Sequence, residues 1–303
     1  MNSFGAKQVL GPGQIISGRW EQKSYKVIRM LGLGGTAQVY LVQGENGHLR
    51  AMKTSPDIIG ITHEHRILCF LNHSKPLKRL GIVPAVYELD DFQRGREVYH
   101  YIITDYCSGT NLGKYKGKLN ASDIAVIGKK TAEFLSCLHE TGFIFGDLKP
   151  GNILYDFNAK NIYITDFGSV SMKGHFLKQF TPGYDRVSWR AGTRMADEQY
   201  DIFSLGMLLT TLKLGKIRGR SEKGTEYLVS LVTRRVRPES LQKVILKALR
   251  QETQNCGEIA LALGVVSSSG SAAQGSGETA VFVNVVGTTS VISFILSLIY
   301  YYH

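Results

Sequence analysis

The sequence predicts an α+β chain in two parts, a β-rich half followed by a helical half, with a membrane-spanning helix at its C-terminal end. Three observations lead there. Between residues 25 and 106, β-branched and aromatic residues flank a glycine turn and recur in short strand-like runs. From Ala121 the apolar residues move to helical spacing, with Ile124, Ile127 and Thr131 leading into AEFLSCLHETG. Residues 280–302, AVFVNVVGTTSVISFILSLIYYY, carry no charge and exceed the roughly 20 residues that a bilayer-crossing helix needs. A buried core helix or strand pair is the other reading of that segment, because Asn284, Gly287, Thr288, Thr289 and Ser290 dilute its hydropathy.

Composition narrows the class. With 303 residues the chain has room for one large domain or two modest ones, and 43% hydrophobic against 20% charged residues excludes wholesale disorder. Cys69, Cys107, Cys137 and Cys256 are far apart and form no CxxC pair, so neither a disulfide framework nor a zinc ribbon is indicated, and a reducing cytosolic setting is expected. The start, MNSFGAKQVLGPGQ, lacks the apolar run of a secretory signal. An excess of 36 Lys and Arg over 25 Asp and Glu gives +11, which favours anionic partners: phosphates, nucleic acid or acidic lipid.

Taken in order, 25–41 (YKVIRMLGLGGTAQVYL) reads as strand, tight turn, strand, and HLRAMK at 48–53 as a further strand. HEHRILCFL at 63–71 places Ile67, Leu68 and Leu71 on one helical face, YHYIITDY at 99–106 is strand-like, and Gly142 is a helix stop. A small-residue stretch, SSSGSAAQGSGE at 267–278, reads as a tether. The predicted organisation is an N-terminal extension (1–24), a β-rich lobe (25–106), a helical lobe (107–264), a Ser/Gly-rich linker (265–279) and the transmembrane helix (280–302).

The chemistry lies in four places. Gly32, Gly34 and Gly35, with Val39, have the spacing of a hairpin whose backbone amides approach anionic oxygens, although a ligand-free glycine turn would look the same. Lys53, on the next strand, is placed to reach those oxygens, or is a solvated surface charge. FGDLKPGNIL at 145–154 puts a proton acceptor, a cation and a metal ligand on one tight loop. ITDFG at 164–168 then adds a second acidic metal ligand after an apolar strand.

These residues resemble the eukaryotic-like (Hanks-type) protein kinases of bacteria, from about Tyr25 to about Leu263. The resemblance implies a bilobal protein kinase-like fold with ATP and Mg²⁺ in the cleft. By it, Leu31, the glycines, Val39 and Ala51 would enclose the nucleotide. Lys53 would hold its phosphates with Glu64 as helix partner, Thr104 would be the gatekeeper, and Asp105 to Cys107 the hinge. Asp147 would accept the substrate hydroxyl proton, Lys149 would neutralise the moving phosphoryl group, and Asn152 and Asp166 would ligate Mg²⁺. FTPGY at 180–184, where Thr181 would bridge Asp147 and Lys149, and YDIFSL at 200–205, where Asp201 would anchor the catalytic loop, favour protein substrates with Ser or Thr acceptors. A nucleotide-binding pseudokinase scaffold and a small-molecule phosphotransferase are the alternatives.

The chain departs from the family pattern at Ala37 (third glycine), Phe145-Gly146 (usual His-Arg) and Arg186-Val187-Ser188 (usual Ala-Pro-Glu). The last implies a lost C-lobe ion pair, and Gly146 a lost arginine for activation-loop phosphate. FGDLKPGN, YDRVSW, GTR and the C-terminal apolar segment are similar to the YabT-type sporulation kinases of bacilli. This implies a cell-membrane protein, single-pass, with a cytoplasmic kinase domain and DNA as an activator. The basic residues between Lys213 and Arg250 form either a patch for DNA or anionic lipid, or a solvated helical surface.

Overall fold

The computed structural model describes residues 8–35, 37–217 and 224–272, with side chains described as far as 267. Its first lobe is a six-stranded antiparallel sheet: β1 (Ile15–Ser17), β2 (Ser24–Leu33), β3 (Gln38–Gly44), β4 (Leu49–Ser55), β5 (Val86–Arg94) and β6 (Glu97–Asp105), in the order β1-β2-β3-β4-β6-β5. Alternate residues of these strands point inward, and Tyr25, Val27, Tyr40, Val42, Met52, Tyr101 and Ile103 form one apolar core. Between β4 and β5 runs α1 (Ile58–His73). The Asp57 side chain accepts a hydrogen bond from Gly60 N at 3.1 Å and so caps it, and Ile61, Glu64, Ile67, Leu68 and Leu71 are its buried face. A short helix, α2 (Lys75–Leu80), follows.

The second lobe is helical: α3 (Ala121–Glu140), α4 (Glu198–Leu214), α5 (Gly224–Arg235), α6 (Glu239–Leu249) and α7 (Cys256–Ala272). Asn120 caps α3 through its side chain, 2.7 Å from Asp123 N. In α4 every residue from Tyr200 to Thr210 is buried, which explains its nearly uninterrupted apolar sequence: it is the central pillar of the lobe. Facing the cleft are two small sheets. β7 (Thr110–Asn111), β9 (Ile153–Asp156) and β10 (Asn161–Ile164) pair in the order β10-β9-β7, and β8 (Phe143–Ile144) pairs with β11 (Ser171–Met172).

Two predicted boundaries shift. The sheet starts at Ile15, ahead of the boundary at residue 25, and Leu10 is buried in the same core. Val27 N donates to Gln14 O and Gly13 N to Val27 O, both at 2.8 Å, so part of the expected extension belongs to the lobe. A three-residue strand is too short to show periodicity and forms only because β2 supplies its partner. At the other end, α7 continues to Ala272 through residues assigned to the linker from 265. Extending a helix that is already nucleated costs less than starting one, so serines and glycines there do not end it. No helix among the described residues is long and apolar enough to cross a membrane, and the predicted span 280–302 lies outside them, as do Arg218, Arg220 and Lys223 of the basic stretch.

Candidate active site

Lys53 sits mid-strand on β4, opposite Val39 of β3 and Ile102 of β6. Its ammonium contacts Glu64 Oε2 at 2.5 Å and Asp166 Oδ1 at 2.9 Å. Only two residues separate β4 from α1, and the first turns of that helix bring Glu64 back over the strand. The short segment therefore still places this pair. Burial works to lower the Lys53 pKa, but the carboxylates of Glu64 and Asp166 outweigh it and the value is raised. The Asp166 pKa is lowered: burial opposes this, and Lys53, with help from Lys149, prevails. Both groups therefore stay charged at neutral pH, an anchored cation beside an anchored anion.

Above this triad, β2 and β3 form the glycine hairpin. Gly32 pairs with Val39, and Gly34 N donates to Ala37 O at 2.8 Å, so the turn closes without a third glycine. A β-carbon at Gly32 or Gly35 would meet nothing within 4 Å; both positions open on space. Leu31 carries the carbonyl that Lys114 Nζ approaches at 3.4 Å. In the same sheet Ala51 pairs with Thr104, and β6 ends at Asp105. The Asp105 side chain accepts from Ala85 N at 3.0 Å and from the Tyr87 hydroxyl at 2.6 Å, so it is engaged within the β-rich lobe. Cys107 is half-buried there, and burial, with the nearby Asp105 charge, pushes its thiol up to about 12.

The catalytic loop is held from below. Asp201 on α4, fully buried, accepts from Phe145 N at 2.7 Å, Gly146 N at 2.9 Å and His139 Nε2 at 2.9 Å. Asp147 is thereby fixed at the loop apex. Its Oδ1 accepts from Thr181 Oγ1 at 2.7 Å, and Lys149 Nζ bonds both Asp147 Oδ2 and, at 2.9 Å, Thr181 Oγ1. A tight 3-10 turn, Pro150–Asn152, brings Asn152 back, where its Nδ2 donates to Asp147 O at 2.9 Å. That bond uses the amide nitrogen, so Asn152 Oδ1 is the atom free to act as a ligand. Asp166, at φ +65° after β10, presents its carboxylate to Lys53, with Oδ1 2.9 Å from the ammonium. Among the described residues no cluster of three or more His, Cys, Asp or Glu is arranged to hold a metal. One carboxylate and one amide oxygen are nevertheless hard oxygen donors of the kind that would hold Mg²⁺.

Several supporting residues were not evident from sequence. Phe134, Phe145 and Phe167 form an edge-to-face triangle with centroid separations of 5.8 to 6.3 Å, which locks Phe167 inward and aims Asp166 at the cleft. Phe145 read only as a missing histidine; its partner Phe134 is eleven positions away, on α3. Ser169 is buried and donates to Phe145 O at 2.9 Å. The expected loss of a C-lobe ion pair is corrected. Arg186, nearly fully buried, bonds both oxygens of Asp197 at 2.8 and 2.6 Å, and Arg194 bonds the buried Asp185 at 2.9 Å. Arg186 thus ties the activation segment to the N-cap of α4, and the second pair closes the segment on itself.

Residues 25–272 match the model of the protein kinase domain. The chain is 30% identical over 252 residues to the serine/threonine-protein kinase YabT of Bacillus subtilis, covering 82% of this chain and 73% of that one. It is 24% identical over 260 residues to the serine/threonine-protein kinase PrkC of the same organism, covering 79% of this chain but only 38% of PrkC. Among solved structures, vaccinia related kinase 3 superposes with a TM-score of 0.68 at 12% identity, over 87% of this chain and 93% of the other, a likeness of fold.

Proposed function

The chain belongs to the protein kinase domain family, and from that premise we propose a mechanism and a location for a serine/threonine protein kinase. It transfers the γ-phosphoryl group of ATP to protein hydroxyls and is held at the membrane by residues 280–302. The observation that carries the reading is the Asp147–Lys149–Thr181 triangle. Thr181 holds the carboxylate in one orientation, so Asp147 is ready to orient a substrate hydroxyl and accept its proton. Lys149 stands on the same side to offset charge on the transferring group, and Lys53 meets the nucleotide phosphates under the glycine hairpin. Such positioning and charge neutralisation are most of what phosphoryl transfer needs from a protein. Mg²⁺, when held by Asn152 and Asp166, supplies further neutralisation of the phosphates.

Asp147→Asn separates this reading from a pseudokinase scaffold. The variant should bind ATP as the parent does and lose transfer to protein by at least about a hundredfold. Equal turnover in both, or none in the parent, would overturn the assignment. A parent that phosphorylates small hydroxyl compounds and no protein would point to the phosphotransferase alternative.

The anchor rests on the uncharged run and on ATP being cytosolic, which puts the kinase domain inside a single-pass cell-membrane protein. Truncation after Gly277 should release the protein from membranes; unchanged retention would refute the anchor. The +11 charge and the exposed Arg234, Arg235 and Arg237 support a polyanionic activator, DNA by the resemblance or anionic lipid by location.

A further inference from the structure

Helix α7 is apolar on two opposite sides. Ile259, Ala260, Leu263 and Val266 are buried against the helical lobe, whereas Leu261 and Val265 are 76% and 65% exposed. Four residues apart, those two lie one above the other along the helix. Glu258 is the only charged residue from Cys256 to Ala272. A surface helix normally turns polar residues outward, so an outward apolar stripe of this kind marks a surface in use.

Beside the stripe, α6 and α7 enclose an open cleft of about 500 Å³, whose apolar walls include Val244, Leu246, Ala262 and Val266. Its rim is basic. Lys243, Lys247 and Arg250 stand at i, i+4 and i+7 along α6 and its cap, and all three are exposed. Lys243 pairs with Glu239 at 2.9 Å and Arg250 lies 3.8 Å from Glu252. Both are solvent-exposed pairs of the kind that contribute little and are readily exchanged for another anion. Lys247 makes no ion pair among the described residues.

We infer that this α6–α7 face docks on an anionic bilayer surface, with Leu261 and Val265 entering the boundary between headgroups and acyl chains and the three basic residues meeting lipid phosphates. Charge complementarity and the apolar stripe together select this occupant. A nucleic-acid backbone would use Lys243, Lys247 and Arg250 but has no use for Leu261, whereas the bilayer interface takes both. Chain length points the same way: seven residues, 273–279, separate α7 from the uncharged run, a reach of at most roughly 25 Å even if fully extended. In placing the bilayer near α7 the inference rests on the anchor proposed above; the chemistry of the face does not.

The test uses the full chain carrying Leu261→Trp, with the parent, which holds only Trp20 and Trp189, as background. It is mixed with or reconstituted into vesicles of phosphatidylcholine alone or with phosphatidylglycerol, containing lipid with a quencher near the carboxyl end of its acyl chain. Quenching of the new tryptophan is expected in anionic vesicles, and it should fall in neutral vesicles and at raised salt. In the Lys243→Gln/Lys247→Gln/Arg250→Gln background the preference for anionic vesicles should drop about a hundredfold, roughly fivefold per basic residue. That background should keep basal kinase activity in detergent. Stable flotation with vesicles but no quenching would overturn the docking face and leave the anchor standing. Quenching in anionic vesicles from which salt releases the chain would sustain the face and refute the anchor, and failure of both would remove both. A tryptophan that responds to duplex DNA and not to vesicles would overturn the inference.

Discussion

Leu177 lies so close to Gly146 that a β-carbon on the glycine would sit 2.8 Å from Leu177 Cδ2 and 3.1 Å from Ser169 O, on a backbone whose φ is +79°. The residue before Asp147 is therefore glycine for two independent reasons, strain and space. Leu177 also packs with Ile144, Ala196 and Tyr200, and its N donates to Arg194 O at 2.9 Å. The activation segment is thus seated on the catalytic loop by apolar packing, where kinases with an arginine at this position use phosphate. Gly146→Arg should not restore a phosphate switch. It should lower the melting temperature and reduce kcat by at least about tenfold, the cost of forcing a side chain into a crowded left-handed position. Thermal unfolding and initial rates check this, and a stable, active arginine variant would contradict it.

Activation-segment hydroxyls should divide by burial. Ser171 and Thr193 pair with nearby backbone atoms of their own segment, and alanine at either should leave activity within about twofold, the usual range for surface changes. Ser169, by contrast, is buried against Phe145 O. Ser169→Ala should lower stability and rate without removing any phosphate, and mass spectrometry of the parent should find none there.

How much of this was legible in the sequence follows the reach of the interactions. Asp147, Asn152 and Asp166 were readable because their spacing on local turns is itself the motif, whereas Lys53, mid-strand on β4, gained its role only through the resemblance; the structure sets Lys53 against Asp166 and Asn152 against Asp147. Thr181 and Asp201 were readable only through resemblance, since nothing local ties residue 181 to 147 or residue 201 to the amide of Phe145. The pairs Arg186–Asp197 and Arg194–Asp185 were missed because sequence showed the loss of a familiar glutamate and could not show that the arginine replacing part of that motif had found another carboxylate. β1 escaped for the same reason, its three residues having meaning only beside β2.

Thr181→Ala should reduce kcat about ten- to a hundredfold with KM for ATP unchanged, because it removes a hydrogen bond to a charged group, worth about 1.5–3 kcal/mol, from the acceptor side of the site. Thr181→Ser keeps the Oγ that bridges Asp147 and Lys149 and should recover most of the rate. A serine variant as poor as alanine would show that the methyl group, and not the bridge, matters.

Acid stability should report the Asp185–Arg194 pair. Burial alone would raise the Asp185 pKa, but hydrogen bonds from Arg194 and Ser188 outweigh it and hold the carboxyl below the ordinary 3.8. A depressed folded-state value means that the contribution is complete above pH 3.8 and is lost as pH falls through the lower, folded-state pKa. In Arg194→Ala the acid-unfolding midpoint should therefore move to higher pH. An unmoved midpoint would show that the pair contributes nothing to the folded state.

The most direct measurement is an initial-rate assay on the full chain, first stripped of phosphate with a phosphatase that is then removed, supplied with Mg²⁺, labelled ATP and a protein acceptor. Because Lys53, Glu64, Asp147 and Asp166 are already assembled, labelled phosphoserine or phosphothreonine should accumulate from the first time point without a lag. Lys53→Ala and Asp166→Asn should each fall by about a hundredfold or more while retaining the parent's circular dichroism. A lag that preincubation with ATP abolishes, label on neither amino acid, or near-parental rates in either variant would contradict a kinase whose site is assembled by packing alone.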